Sequence, residues 1–145
     1  MGEGYRVSYR RTVGCRIVTV IDTHVWVWHE SNPEKLSKRA TSAIREADSI
    51  GICAISCWEI PMLVEKAKLK LDRDVLVWLK QALARPRTVL LPITPEIGVA
   101  SSTLGPDFHG DPADRLIAAT TLLHRGELVT KDRRLRDVAR IPTVW

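Results

Sequence analysis

Apolar residues follow two patterns along this chain, and the two patterns alternate. Short runs rich in valine, isoleucine and leucine are nearly continuous, which is typical of strands buried on both faces of a sheet. Such runs occur at 16–21, 49–55, 88–93 and 127–130, and a fifth β-type run lies at 142–145. The pattern predicts five short strands.

The segments between these runs carry the other pattern, in which apolar residues recur every three to four positions on one helical stripe. Such stripes predict helices over 33–47, 56–69, 72–84 and 111–126. Strands that alternate with helices indicate an α/β fold, in which helices cover both faces of a mainly parallel sheet. In open sheets of this kind, ligands bind at the carboxyl ends of the strands.

Length and composition indicate one globular domain, because 145 residues that are 45% hydrophobic can bury a sizeable core. We expect this domain to span 17–145 and residues 1–16 to form a basic, loosely ordered extension. No apolar run approaches the roughly 18 residues of a membrane span, and no secretory signal is evident. We interpret Cys15, Cys53 and Cys57 as reduced packing residues of a cytoplasmic protein.

The net charge of +5 favours anionic partners through long-range attraction. Basic residues occur in groups, and each group alone is typical of a solvated helix face. Together, and next to acidic strand ends, they indicate a polyanionic partner. The groups are Arg6, Arg10 and Arg11; Lys35, Lys38 and Arg39; Lys66, Lys68 and Lys70; and Arg133, Arg134 and Arg136.

Acidic residues stand where predicted strands end. Asp22 directly follows the first strand, where an ionised carboxylate can face a solvated edge instead of a dry interior. After the second strand, Ser56 and Glu59 fit the S-x-x-E capping box, which by itself predicts a structural role. The same spacing places Glu59 in the first helical turn, at the edge that carries Asp22. We expect Pro61 to perturb the first turns of this helix.

Two further acidic boundaries follow. Asp111 suits an N-cap and Pro112 the first helical position, so capping explains one carboxylate there. Capping explains Asp114 less well, and we favour a functional role for it. Past the fourth strand, Asp132 suits the N-cap of a last helix, and the Thr130 hydroxyl can orient a carboxylate or a water molecule.

Four of these acids, Asp22, Glu59, Asp114 and Asp132, converge on one edge of the predicted sheet. Carboxylates at close range repel one another and raise each other's pKa, and a bound divalent cation relieves that repulsion. An oxygen-rich set without a His or Cys ligand pattern favours Mg²⁺ or Mn²⁺. Such a site beside basic residues indicates metal-dependent cleavage of phosphodiester bonds.

Aromatic residues near these acids allow two interpretations each. For Trp26 and Trp28, which follow Asp22, we favour packing of the first helix against the sheet or a dimer partner over stacking on nucleic-acid bases. For His109, we favour a loop or capping role over contact with phosphate.

The segments that carry the acids resemble the PIN-domain nucleases, and among them the VapC-type toxins of bacterial toxin–antitoxin pairs. In family order they are VIDTHVWVW, ISCWEI, HGDPADRLIAATTL and LVTKDRRLRD, spread over residues 18–137. The resemblance implies an α/β/α sandwich and a Mg²⁺- or Mn²⁺-dependent endoribonuclease that acts on RNA. It also implies frequent homodimers and inhibition by a small cognate antitoxin protein.

The resemblance also assigns residues. The catalytic and metal-binding quartet of the family corresponds to Asp22, Glu59, Asp114 and Asp132. Its supporting residues correspond to Asp111, Thr130 and Arg115. Pro61 departs from the family, which more often has a small helix former at that position, and this proline can shift Glu59.

Two other functions stay open at this point. A different Mg²⁺-dependent phosphohydrolase, such as a phosphatase of the haloacid-dehalogenase type, needs a D-x-D motif after the first strand, where this chain has His24 as the second member. A non-catalytic nucleic-acid-binding or signalling module has no need for four converging acids. Absence of Mn²⁺ binding would favour the non-catalytic module.

Overall fold

The fold is built on a five-stranded parallel sheet, seen in a computed structural model that describes residues 18–145. The strands lie in the order β3-β2-β1-β4-β5, and every adjacent pair is parallel. This arrangement confirms the predicted α/β class. The strands are β1 (Val18–Ile21), β2 (Ser49–Cys53), β3 (Thr88–Leu91), β4 (Glu127–Val129) and β5 (Thr143–Val144).

Helices cover both faces of the sheet. They are α1 (Thr23–Ser31), α2 (Lys38–Glu46), α3 (Ala54–Glu65), α4 (Val75–Leu83), α5 (Pro95–Ser102), α6 (Pro112–Leu123) and α7 (Arg133–Arg136). Successive strand residues enter opposite cores: Ile21 shares one with Trp26 and Trp78, whereas Val20 shares the other with Ile117. Two cores flank one sheet, so the domain is the expected three-layer α/β/α sandwich.

The strand order creates a crevice beside β1. The chain adds β2 and β3 on one side of β1 and then returns to add β4 and β5 on the other. Val20 is in register with Gly51 of β2 and with Leu128 of β4, so three neighbouring strands end close together. Open α/β sheets bind ligands at the point where the strand order reverses.

Two helical segments differ from the sequence prediction. The predicted helix at 33–47 is divided, because Pro33–Lys35 forms a 3₁₀ turn and the side chain of Ser37 then caps α2. The helix α5 is not among the predicted ones, although Thr94 caps it and Pro95 occupies its first position. Both signals are present in the sequence and mark a helix start.

The capping box predicted for α3 is wrong. The helix begins at Ala54 with Cys53 at the N-cap, so Ser56 lies inside the first turn and Glu59 in the second. The buried Ser56 hydroxyl instead lies 2.8 Å from Thr23 Oγ1, and this hydrogen bond joins α3 to α1. Pro61 lies within α3, which nevertheless continues past it.

Trp26, Cys53 and Cys57, for which the sequence predicts packing, lie among the described residues. Trp26 is buried and meets Trp78 edge-on, with ring centroids 5.3 Å apart, as packing of the first helix predicts. Cys53 and Cys57 are free thiols. Cys15 and the predicted extension 1–16 lie outside the described residues. Within 18–145, every helix is too short or too polar to cross a bilayer.

Candidate functional site

A cleft of about 340 Å³ opens at the carboxyl edge of the sheet, beside the ends of β1 and β4. Five carboxylates line it, each from a strand end or from the first turns of a helix. They are Asp22, Glu59, Asp111, Asp114 and Asp132. The structure therefore brings the predicted quartet and the auxiliary acid together around one space, while their catalytic role stays a prediction.

Asp22 belongs to a hydrogen-bond network that joins β1 to β4. Its Oδ1 accepts from the Thr23 backbone N–H at 2.8 Å, and its Oδ2 accepts from Thr130 Oγ1 at 2.8 Å. The Thr130 hydroxyl in turn accepts from the Asp132 backbone N–H at 3.0 Å. Thr130 therefore holds the Asp22 carboxylate in a fixed relation to the segment that carries Asp132.

Burial makes ionisation of the cleft acids costly. Asp22 is only 8% exposed, and burial raises its pKa from 3.8 to about 6. The hydrogen bond from Thr130 opposes that rise, and the charge of Asp114 adds to it. Burial, assisted by neighbouring acids, also raises the pKa of Glu59 and of Asp114. A cation bound in the cleft would therefore stabilise the ionised form of these acids.

The start of α6 supplies two acids with different contacts. Asp111 caps the helix by accepting from the Asp114 backbone N–H at 3.0 Å, as its N-cap pattern predicts. Asp114 Oδ2 lies 2.7 Å from His109 Nε2, and the His109 ring stacks on Phe108 with centroids 4.8 Å apart. His109 lies in the loop before α6, as expected, and its imidazole also contacts the third acid directly.

Arg134 brings positive charge into this acidic cleft. Its backbone N–H donates to Asp132 Oδ1 at 2.9 Å, so Asp132 caps α7. Its Nη2 lies 3.1 Å from Asp132 Oδ2 and 3.5 Å from Asp114 Oδ2. Partial burial acts to raise the pKa of Asp132, but hydrogen bonds from Arg134 outweigh it and the pKa falls. The guanidinium thus neutralises one side of the acidic cluster.

Arg115 does not line the cleft but holds a loop next to it. Its guanidinium donates to three backbone carbonyls, at 2.9 Å to Phe108, 3.0 Å to His109 and 3.1 Å to Ser101. It also lies 5.5 Å from the centroid of the Phe108 ring. Arg115 therefore fixes the loop that places His109 against Asp114.

Sequence reasoning misses several side chains of the cleft. His24 and Lys131 are given no place in it, packing is favoured for Trp28, and Arg134 is counted only in a basic group, yet all four line the cleft. His24 and Trp28 stand one helical turn apart on α1, with ring centroids 6.1 Å apart, and Lys131 Nζ lies 5.9 Å from the Trp28 centroid. A signal for them existed, because Lys131 and Arg134 flank Asp132 in sequence and the spacing of His24 and Trp28 puts both on one helix face.

The donors present suit a hard divalent cation, because carboxylate oxygens dominate the cleft and no described cysteine lines it. Within residues 18–145, no three acidic, histidine or cysteine side chains are already gathered as a coordination set. The Arg134 guanidinium lies between Asp114 and Asp132 instead. The Arg134 guanidinium therefore competes with a cation for the Asp114 and Asp132 carboxylates.

The fold and the cleft define a class of protein, an α/β/α sandwich with an acidic site at the switch point of a parallel sheet. The family model for the PIN domain matches residues 19–141. The chain is also 44% identical over 128 residues to Ribonuclease VapC22 of Mycobacterium tuberculosis, a match that covers 87% of this chain and 97% of that protein. The chain belongs to the PIN domain family.

Solved structures share this fold. A crystal structure of VapBC2 from Rickettsia felis, bound to a DNA fragment from its promoter, has a TM-score of 0.62 at 15% identity, over 88% of this chain and 97% of that one. A toxin–antitoxin complex from Klebsiella pneumoniae has a TM-score of 0.61 at 22% identity, over 88% and 96%. At these identities the likeness is one of fold.

Proposed function

We propose that this protein is an endoribonuclease, the toxin of a toxin–antitoxin pair, and that it depends on Mg²⁺ or Mn²⁺. The cleft itself carries the proposal, because five carboxylates meet there and three of them have a raised pKa. A purely binding module gains nothing from a cluster of buried, repelling charges. Membership of the PIN domain family and 44% identity to a protein named a ribonuclease support it.

Four acids would hold the cation. Asp22, Asp114 and Asp132 would ligate it, and Glu59 would ligate it directly or through water, or act as the general base. When bound, such a cation lowers the pKa of a water molecule and neutralises charge that develops on phosphate oxygens. The haloacid-dehalogenase alternative lacks its second acid, because His24 occupies that position.

The chain's own side chains would orient the substrate and move a proton. Thr130 and the Thr23 amide fix the direction of the Asp22 carboxylate. Glu59 is half-buried and its pKa is raised, so it suits acceptance of a proton from the attacking water. The exposed cations Lys131 and Arg134 would donate hydrogen bonds to phosphate oxygens as negative charge develops.

We also propose that the substrate is RNA and that a small cognate antitoxin protein inhibits the enzyme. The protein would assemble as a homodimer and act in the cytoplasm. The Klebsiella pneumoniae neighbour is itself a toxin–antitoxin complex. The free thiols of Cys53 and Cys57 suit a reducing compartment. We further propose that residues 17–145 form a single domain.

Pulsed expression in a bacterium, followed by sequencing of RNA ends, tests this function. Wild type should arrest growth and generate new RNA ends at defined positions, whereas Asp22→Asn should do neither. Asp48→Asn, an exposed acid outside the cleft lining, is the matched control and should behave like wild type. If Asp22→Asn accumulated to the wild-type level and still cleaved RNA, the assigned site would be wrong.

A further inference from the structure

A second cavity, of about 530 Å³, lies beside α2, α7 and β5. It presents three arginines and one aspartate, so its side chains carry net positive charge. We call it the arginine pocket, and its lining residues are Arg39, Arg133, Arg136, Asp137, Thr143 and Trp145.

The arginines of this pocket are exposed and are not used as ion-pair partners within residues 18–145. The ion pairs of that part of the chain involve Arg73, Arg85, Arg134 and His109, but not Arg39, Arg133 or Arg136. Three arginine side chains in one pocket favour a ligand that carries more than one negatively charged group.

Two tryptophans connect the arginine pocket to the acidic cleft. Trp28 lines the cleft and Trp145 lines the pocket, and their ring centroids lie 5.9 Å apart. Both residues are half-buried, so each keeps some exposed surface. The helix α7 adds a second connection, since Arg134 enters the cleft while Arg133 and Arg136 line the pocket.

We propose that the arginine pocket and the Trp28–Trp145 pair bind the single-stranded stretch of RNA that flanks the cleaved phosphate. This inference rests on the proposed function. Phosphates of the flank would pair with the arginines, and an unstacked base would stack on an accessible tryptophan face. An acidic peptide would use the charges but not the rings, and a duplex keeps its bases stacked on one another. The combination of charges and rings therefore favours single-stranded RNA.

The two kinds of contact have separable signatures. Each phosphate contact contributes about 0.7 to the slope of log affinity against log salt for a single strand, so Arg133→Ala with Arg136→Ala should lower that slope by about 1.4. Loss of a stacking ring in Trp145→Leu should weaken binding about fivefold to 150-fold without changing the slope. Trp145→Phe keeps an aromatic face and should recover most of that loss.

The test measures anisotropy of a fluorescent single-stranded oligoribonucleotide over a salt series. The full-length Asp22→Asn protein serves as background, so that no RNA is cleaved during the measurement. The arginine double variant and the two Trp145 variants are compared with Arg45→Ala with Lys80→Ala. This control also removes two exposed charges, but from residues that line neither cavity. It should leave affinity and slope close to those of the background protein.

Failure of this inference differs from failure of the proposed function. If the arginine double variant kept its affinity and salt slope, and an Asp22-containing version still cleaved RNA, the inference would be overturned alone. A protein that neither binds nor cleaves any RNA refutes the proposed function itself. If the arginine double variant lost affinity for a polyglutamate peptide but kept its affinity for RNA, the pocket would be a protein-docking site. That result would also overturn the inference. If Trp145→Leu does not fold, the test rests on the arginine double variant, because both of its substituted side chains are exposed.

Discussion

Replacement of Asp22 by asparagine should stabilise the metal-free protein at neutral pH while it abolishes the proposed activity. Asparagine preserves the size of the side chain and keeps one oxygen that can accept from the Thr23 amide or the Thr130 hydroxyl. It removes a negative charge from a site that is only 8% exposed and close to Asp114. Function and stability therefore oppose each other at this position.

The magnitude follows from the pKa of Asp22, which burial raises from 3.8 to about 6. Because the folded state binds this proton more tightly, ionisation destabilises the fold. The penalty is absent below 3.8, grows as the pH rises to about 6, and is complete above it. At about 1.36 kcal/mol for each tenfold change in proton affinity, its ceiling is about 3 kcal/mol.

The net gain is smaller than this ceiling, because the asparagine amide group cannot accept the second hydrogen bond that Asp22 receives. With about 1 kcal/mol lost there, a gain of about 1–2 kcal/mol remains. It corresponds to a rise in melting temperature of about 3–8 °C for a domain of this size.

The assay is thermal unfolding in EDTA, near pH 4 and near pH 7.5, for wild type, Asp22→Asn and the control Asp48→Asn. The melting temperature of Asp22→Asn should exceed that of wild type near pH 7.5, and the difference should shrink near pH 4. Added Mn²⁺ should then raise the melting temperature of wild type more than that of Asp22→Asn. A variant that melts below wild type at neutral pH, or a difference that does not vary with pH, would refute the reasoning.

Three further substitutions test other contacts of the site. Thr130→Val removes the hydroxyl that orients Asp22 and should lower RNA cleavage about tenfold to a hundredfold. Thr130→Ser keeps a hydroxyl and should retain cleavage. Equal cleavage by the valine and serine variants would contradict the role of the hydroxyl. Arg134→Ala frees the two acids that it contacts and should tighten Mn²⁺ binding about two- to fivefold in calorimetry, and weaker binding would show that Arg134 assists the cation. Arg115→Ala leaves three carbonyls without their donor and should lower the free energy of unfolding by about 2–4 kcal/mol in urea. Unchanged stability with lost RNA binding would instead place Arg115 at the substrate.

The strands and the acids at their ends are predictable from sequence because both depend on short-range patterns. The continuous apolar run at 16–21 predicts a strand buried on both faces, and Asp22 follows that strand directly. The similar run at 88–93 instead forms an edge strand in which Val89 and Leu90 are exposed. Parallel strands end at the same edge, so the segment carrying Thr130 and Asp132 meets Asp22 once the sheet forms. Convergence of Asp22 and Asp132 thus follows from the strand topology.

The contacts that a local pattern misreads depend on the tertiary structure. Ser56 fits a capping box, but its hydroxyl pairs with Thr23 across two helices, and this pairing is not visible in local spacing. Arg134 belongs to a basic group that resembles a solvated helix face, yet its guanidinium contacts Asp114, twenty residues earlier. His109 contacts the same acid because Arg115 fixes the intervening loop.

Cleavage of a defined single-stranded RNA by the purified protein tests the central claim most directly. The reaction is followed with EDTA and then with Mg²⁺ or Mn²⁺, for wild type and for Asp22→Asn shown by circular dichroism to be folded. We predict new RNA ends only for wild type and only with a divalent cation. Cleavage that persists in EDTA, or that Asp22→Asn performs at the wild-type rate, would contradict it.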